Sequence, residues 1–159
     1  LQTSSFALGH TWARTRYYYQ YSGWYATRGG LPYVSIWDPK PPLIHEIAAG
    51  LATLTGGNAW ALHLGSLILM ALASVAVVLL VSELVFYHTD DELSAFVAGL
   101  VMMTYPVFYL LPVGGLRPKM FVVLFGLMSI RLLNAERPVA GGAAAAAAAG
   151  AWQLGLFFP

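Results

Sequence analysis

The feature that most constrains the fold is a long apolar run at residues 59–87, which carries Glu83 as its only formal charge. A helix needs about 20 predominantly apolar residues to cross a bilayer, because it rises about 1.5 Å per residue and the hydrocarbon core is about 30 Å thick. The run is longer than this requirement. The sequence therefore predicts a helix that crosses a membrane.

The composition agrees with a membrane protein. Of the 159 residues, 58% are hydrophobic and 9% are charged, whereas about a quarter of the residues in a soluble domain are charged. Further apolar segments at 94–113, 120–133 and 139–158 bring the predicted spans to about four. We expect an all-α integral membrane protein, a polytopic helix bundle at residues 59–159 preceded by an extramembrane loop with juxtamembrane helices at residues 1–58. A soluble helical domain is the alternative.

Proline and small residues modify these segments. Pro106 and Pro112 should kink the second span or end it early, because a proline ring removes a backbone donor and clashes with the preceding turn. The third segment is short, and a start before Lys119 would lengthen it. The fourth contains seven alanines at residues 143–149, which favour close helix packing in lipid; a low-complexity linker is the alternative.

Two helix ends are predicted from local signals. Residues 43–55 read as a short helix that stops at Gly56 and Gly57, since glycine readily adopts the left-handed conformation that ends a helix. In the turn after the first span, Thr89 or Asp90 is expected to cap the next helix.

An aromatic segment at residues 11–30 precedes these helices. As a helix it would place Tyr17, Tyr21, Trp24 and Tyr25 on one face, because positions i, i+4, i+7 and i+8 align. Tyrosine and tryptophan favour the headgroup layer, since their rings are apolar and their tips polar. We expect this helix to lie along a membrane surface, and a soluble aromatic helix is the alternative.

The loop at residues 29–43 carries the side chains best suited to chemistry. Three prolines surround Lys40, and each fixes its own φ and pushes the preceding residue toward extended geometry, so a stiff backbone presents the lysine. Asp38 lies next to it, and Tyr33 and Trp37 are expected to line a substrate pocket. The mixture suits a phosphate and a sugar at a membrane surface. A well-packed turn is the alternative.

Cations collect on one side of the predicted bundle. If four spans alternate, Arg16, Lys40, Arg117 and Lys119 share a side, and we expect them to bind a lipid-linked phosphate, which ammonium and guanidinium groups neutralise well. Binding of ordinary phospholipid headgroups is the alternative. The positive-inside rule would place this side in the cytoplasm, although cations that bind an anion are poor indicators of topology.

Several kinds of partner and site are not expected. The formal net charge of +1 gives no basic field for nucleic acid, and the absence of cysteine excludes disulfides and thiol chemistry. His45 and Glu46 are adjacent, so on a helix they point in different directions and make a poor metal site. We expect no cofactor, with a divalent metal ion left open, and we expect membrane lipids as partners.

The run Gly-Gly-Leu-Pro-Tyr-Val-Ser-Ile-Trp-Asp-Pro-Lys-Pro-Pro-Leu at residues 29–43, followed by a short helix and a long apolar segment, resembles the first extramembrane loop of the dolichyl-phosphate-mannose protein mannosyltransferase and aminoarabinose transferase superfamily. The resemblance implies the N-terminal part of a GT-C membrane glycosyltransferase. Such an enzyme moves a sugar from a polyprenyl-phosphate donor to an acceptor, here unknown, by inverting displacement. It also implies an extracytoplasmic loop at residues 1–58 and a Lys40 that contacts the carrier phosphate.

The sequence departs from the family pattern in its acids. Family members usually carry an acidic residue about two dozen positions before the lysine, near Thr15 and Arg16 here, and no acid stands there. Ser35 also occupies a position where aspartate is common. Asp38 therefore remains as the candidate catalytic base, with a loop-capping acceptor and a partner of Lys40 as its other possible roles. A non-catalytic or transporter-like protein that binds anionic lipid is the alternative function.

Overall fold

The computed structural model describes residues 11–30, 33–35, 38–105, 108 and 114–159, with the backbone alone for residues 11–16. The described residues are helical and contain no strand, which confirms the all-α prediction for them. In chain order the helices are α1 (Thr11–Ala26), α2 (Leu43–Leu54), α3 (Ala59–Thr89), α4 (Glu92–Thr104), α5 (Pro118–Asn134), α6 (Pro138–Ala151) and a 3₁₀ helix (Gln153–Phe157).

Helix α3 is the longest helix in the described part of the chain. It has 31 residues and is the one described helix long and apolar enough to cross a membrane. Its first turn is capped by Asn58, whose side-chain oxygen accepts hydrogen bonds from the backbone N–H groups of Trp60 and Ala61 at 3.0 Å. Only 22% of its most apolar stretch is buried, so most of that apolar surface lies on the outside of the described residues.

The reversal after α3 corrects one prediction. Thr89 is the last residue of α3, and Asp90 adopts a left-handed conformation with φ of 52° that ends the helix. The extended residue that follows is Asp91, whose carboxylate accepts from the N–H groups of Leu93 and Ser94. The cap of α4 is therefore Asp91, and the prediction of Thr89 or Asp90 was wrong. Thr89 still belongs to α3, and Asp90 forms the reversal between the two helices. Hydrogen bonds from Ser94 lower the pKa of Asp91.

Helix α4 is shorter than the span predicted at 94–113. It ends at Thr104, and Tyr105 is extended with ψ of 116°, as expected for a residue that precedes a proline. The described helix thus ends two residues before Pro106, where a kink or an early end is predicted. Pro106 and Pro112 themselves lie outside the described residues.

Helices α5 and α6 pack side by side. Pro118 occupies the first turn of α5, where its missing N–H costs nothing, and the helix gains residues before Met120 as expected. The alanine tract is helical and not a linker. Its buried face consists of small residues spaced three or four apart, which lets the two helices approach closely: Gly141, Ala144, Ala148 and Ala151.

The fourth predicted segment, 139–158, is not one continuous helix. Helix α6 stops at Ala151 because Trp152 is extended, and the following 3₁₀ helix folds back along α6. A Cβ at Gly155 would lie 2.1 Å from the backbone of Ala148, so this return path requires glycine. The hydroxyl of Ser129 on α5 donates to the carbonyl of Pro159 and holds the returning chain.

Helices α1 and α2 form the other packed pair, and glycine sets their separation. A Cβ at Gly23 would lie 2.3 Å from the carbonyl oxygen of Ala48, whereas a Cβ at Gly50 would meet nothing within 4 Å. We expect Gly23→Ala to destabilise the protein by about 2 kcal/mol, because backbone atoms would have to move apart. Gly50→Ala is the matched control and should stabilise α2 by up to about 1 kcal/mol. Thermal melting in detergent measures both, and equal effects would contradict this account of the contact.

The two ends of the bundle carry different loops. At one end, Arg131 Nε on α5 donates to Glu83 Oε1 on α3 at 2.6 Å, and the Tyr87 hydroxyl donates to the carbonyl of Asn134 at 3.2 Å. At the opposite end of α5, the side chain of Gln20 on α1 packs against the turn before Pro118. The aromatic N-terminal region and residues 114–117 therefore lie at the same end.

Candidate functional site

The Asp38 carboxylate is the centre of the site. Its side chain is 4% exposed, and Oδ1 accepts from the backbone N–H of Lys40 at 3.2 Å and lies 3.5 Å from Lys40 Nζ. The first contact closes a short turn of the loop, and the second is an ion pair. Two of the three roles left open for Asp38, the loop-capping acceptor and the partner of Lys40, are thus present together.

The Lys40 side chain is held against α1. It is 34% exposed, and its ammonium lies 5.4 Å from the centre of the Tyr19 ring. Burial alone would lower the pKa of Lys40, but the Tyr19 hydroxyl and the Asp38 carboxylate outweigh burial, so the pKa is raised. The group is therefore fully charged near neutral pH, and it can meet an anion at a partly desolvated position.

Tyr33 holds the outer side of the loop. Its φ of 68° is rare for an aromatic residue, and such conformations cost about 1–3 kcal/mol. The Tyr33 hydroxyl donates to the carbonyl of Lys40 at 2.6 Å, and its ring packs edge-on against His45. Trp37 and the side chain of Arg16, the other predicted site groups of this region, lie outside the described residues.

A buried histidine lies behind the carboxylate. His45 Nδ1 is 2.8 Å from the Ser22 hydroxyl on α1, and His45 Nε2 is 3.3 Å from Asp38 Oδ2. All three side chains are at most 4% exposed. Within the described residues neither Nε2 nor Oδ2 has a hydrogen bond of good geometry, so we treat this contact as electrostatic. Burial lowers the pKa of His45, against the opposing effect of Asp38, and the ring is neutral.

The sequence did not single out this histidine as part of the loop. From the sequence, its position beside Glu46 indicates only a poor metal site. The structure turns His45 inward and leaves Glu46 exposed. Among the described residues, no three His, Asp or Glu side chains gather as metal ligands.

The neutral state of His45 makes stability depend on pH. The unfolded chain takes up a proton near the ordinary histidine pKa of 6.5, whereas the folded protein does so only at lower pH. The contribution of the neutral His45 to the free energy of unfolding is therefore complete above pH 6.5. It is lost as the pH falls toward the lowered pKa of His45 in the folded protein. We expect the melting temperature to decrease on acidification from pH 7.5 to 5, and the decrease to be smaller in His45→Gln.

That pH experiment has a defined counter-result. The groups that face His45 are Asp38, Lys40, Tyr18, Tyr19 and Tyr33. The tyrosines and the lysine do not titrate between pH 5 and 7.5, since their pKa values are raised. The same slope in the wild type and in His45→Gln would show that another group is responsible.

Arg117 approaches the site from the other loop. Its guanidinium lies over Gly114, where a Cβ would be 2.6 Å from Nη2, and the buried Gln20 side chain packs equally closely on Gly115. Burial raises the pKa of the Tyr19 hydroxyl, while the charges of Lys40 and Arg117 both oppose that rise. The loop that contains Arg117 therefore packs against α1, the helix that also carries Tyr19.

Lys119 lies slightly apart from this centre. It is exposed, and its ammonium is 5.2 Å from the centre of the Trp152 ring. Gln153, the residue after Trp152, donates through its side-chain amide to the carbonyl of Pro39. Lys119 is thus at the same end of the bundle as the loop, but its contact is with Trp152.

This arrangement can neutralise a phosphate. Lys40 and Arg117 supply two positive charges and Asp38 one negative charge, which leaves a net positive site. The positive end of the α5 dipole, which begins at Pro118, adds to it.

Comparison with known proteins gives two matches. Residues 29–159 match the model of a family described as DolP-mannose mannosyltransferase. A dolichol phosphate-mannose mannosyltransferase of Haloferax volcanii is 38% identical over 141 residues, which cover 89% of this chain and 31% of that protein. The chain thus spans about a third of the length of this relative. No solved structure matches the chain.

Proposed function

The chain belongs to the DolP-mannose mannosyltransferase family, and from that membership we propose that the protein transfers mannose from a dolichol-type polyprenyl phosphate to an acceptor. The family match confirms the resemblance carried by residues 29–43. The donor is proposed because the family and its Haloferax volcanii relative are both described as dolichol phosphate-mannose mannosyltransferases.

The observation that carries the proposal is the position of the Lys40 ammonium, 5.4 Å from the centre of the Tyr19 ring, at the end of the bundle where the loop that contains Arg117 packs against α1. When the glycosidic bond to the carrier breaks, negative charge grows on the leaving phosphate. Fixed cations stabilise that charge more in the transition state than in the ground state, which is the condition for catalysis. Lys40 is proposed to contact the phosphate directly, with Arg117 beside it. Lys119 and Arg16 are proposed as outer cations that attract the lipid head.

We assign Asp38 to holding Lys40. Its carboxylate is almost completely buried, one oxygen is engaged by Lys40, and the other faces His45. A base must reach the proton that it removes, and neither oxygen is directed toward solvent. The exposed edge of Tyr33 and the neighbouring Trp37 are proposed to line the sugar side of the loop.

The proposed setting is a polytopic helix bundle in a membrane. Helix α3 supplies one span, and the shorter apolar helices α4 and α6, together with α5, are proposed to cross beside it. Exposed leucine, isoleucine, valine and phenylalanine side chains on α3 and α4 support lipid contact. The cationic end then lies at headgroup depth, and we propose that residues 1–58 face the extracytoplasmic side.

The test is a transfer assay on the protein in its native membrane. Membranes that contain the protein should release dolichyl phosphate from dolichyl-phosphate mannose, and membranes from a deletion strain should not. Mannosyl transfer from GDP-mannose without the lipid donor should be absent. Binding of dolichyl phosphate and phosphatidylglycerol alike, without any transfer, would favour the lipid-binding alternative and overturn the proposed enzyme.

A further inference from the structure

A continuous polar chain links three segments behind the phosphate site. It begins at Ser22 on α1, passes through His45 on α2 to Asp38, and ends at the Lys40 ammonium. The successive distances are 2.8, 3.3 and 3.5 Å. The first three side chains are buried and only the last reaches solvent. The group that meets the substrate is thus connected to the interior through His45.

The groups on either side of the histidine ring favour one position for its proton. The Asp38 carboxylate, ion-paired with Lys40, turns its negative charge toward Nε2, so the tautomer that carries the proton on Nε2 is electrostatically favoured. A neutral ring has one N–H, which leaves His45 Nδ1 as an acceptor. The Ser22 hydroxyl then donates to Nδ1. This hydrogen bond satisfies Nδ1 and adds to the preference for the tautomer in which Nε2–H faces Asp38.

We propose that His45 is a positioning residue for Lys40: it orients the Asp38 carboxylate so that Oδ1 is directed at the lysine, and Ser22 keeps the ring in the tautomer required. This inference rests on the proposed function, because it assigns Lys40 to the lipid phosphate. His45 does not contact substrate. It acts on the substrate only through Asp38 and Lys40.

A positioning residue is needed because the side chains of Lys40 and Asp38 can rotate. A lysine has four rotatable bonds in its stem, and an aspartate carboxylate can rotate about its last bond. The proline-rich backbone fixes neither. The His45 ring is itself fixed, because Tyr18, Tyr19 and Tyr33 pack around it with ring centres 5.6–6.4 Å away. A rigid ring thereby transmits its position to a flexible cation.

The test uses two amides that differ by one methylene. The side-chain nitrogen of His45→Gln can reach the place of Nε2 and donate to Asp38, whereas that of His45→Asn reaches only the place of Nδ1. In the protein in its native membrane, we expect His45→Gln to keep the KM for dolichyl-phosphate mannose within about threefold of the wild type. His45→Asn should raise it about tenfold or more, as expected when a charged hydrogen-bonding partner is lost.

A second measurement does not depend on activity. In protein labelled with nitrogen-15 at histidine, the ring shifts of His45, assigned by their absence in His45→Gln, should report the Nε2–H tautomer. Ser22→Ala should convert this signal to a mixture of tautomers. An unchanged tautomer in Ser22→Ala would overturn the role of Ser22.

The possible outcomes separate the two proposals. Equal KM values for His45→Gln and His45→Asn in an active protein would overturn the positioning role and leave the proposed function standing. Complete absence of transfer in the unsubstituted protein would overturn the proposed function, and this inference with it. If His45→Asn does not fold, the ring shifts in the wild type and in Ser22→Ala decide the matter.

Discussion

Replacing Lys40 by alanine should lower the rate of mannosyl transfer by about 10²–10³-fold, the loss typical when one preorganised electrostatic group is removed from a developing negative charge. In the proposed site the carrier phosphate would then lose its direct cation and keep only Arg117 and the outer cations. Lys40→Arg should recover part of the rate, because the charge is kept while the planar guanidinium cannot reproduce a compact ammonium. The measurement is the initial rate of dolichyl phosphate release at saturating donor.

The matched control for Lys40 is a cation at the opposite end of the bundle. Arg137 is exposed, and its side chain makes no capping hydrogen bond at the start of α6. Arg137→Ala removes the same formal charge, so a general effect of net charge on membrane insertion would appear in both variants. We expect Arg137→Ala to keep the wild-type rate within about twofold, the range of a surface substitution of about 0.5 kcal/mol. Equal losses in the two variants would remove Lys40 from the mechanism.

Elements governed by local chemistry were predicted well from the sequence. The boundaries of α2 and α3 follow from Gly56, Gly57 and an unbroken apolar run, since left-handed glycines and hydrophobicity act within a few residues. The end of α4 before Pro106 follows from the same kind of local restriction. The cap at Asp91 was missed by one position because three polar residues in succession, Thr89, Asp90 and Asp91, all suit a helix start.

Features that depend on tertiary contacts were not predictable. The end of α6 at Ala151 reflects the packing of Gly155 on Ala148, and an apolar sequence carries no signal for that return. A run of alanines specifies a helix but not where its neighbour lies. The all-helical class was therefore predictable, whereas the division of residues 139–158 into two elements was not.

In the site, too, the features set by local sequence were predictable and those set by tertiary contacts were not. Asp38 and Lys40 are two residues apart, and the prolines around them made the loop visible from the sequence. His45 and Ser22 come together only because α1 packs on α2 at Gly23, and their separation of 23 positions has no periodic signature. Tyr19 and Ser22 are about one helical turn apart, so the sequence indicates that they share a face of α1 but not that this face is turned toward the loop.

Replacing Asp38 by asparagine should lower kcat/KM for the lipid donor by about 10–100-fold, the range that corresponds to losing a charged hydrogen bond of about 1.5–3 kcal/mol. Most of the loss should appear as a higher donor KM. The ammonium of Lys40 would keep its charge but lose the carboxylate that directs it, and the neutral His45 ring would lose the negative charge that faces it. Asparagine keeps the size of the side chain, so the buried turn should still form.

The pH–rate profile distinguishes this positioning role from a catalytic base. If Asp38 holds Lys40, Asp38→Asn should retain the acidic limb of the profile, because another group accepts the proton from the acceptor hydroxyl. If Asp38 is the base, kcat should fall by about 10²–10⁴-fold and that limb should disappear, with donor KM unchanged. Glu46→Gln is the matched control: it removes an exposed carboxylate from the adjoining helix, and its kinetics should follow those of the wild type.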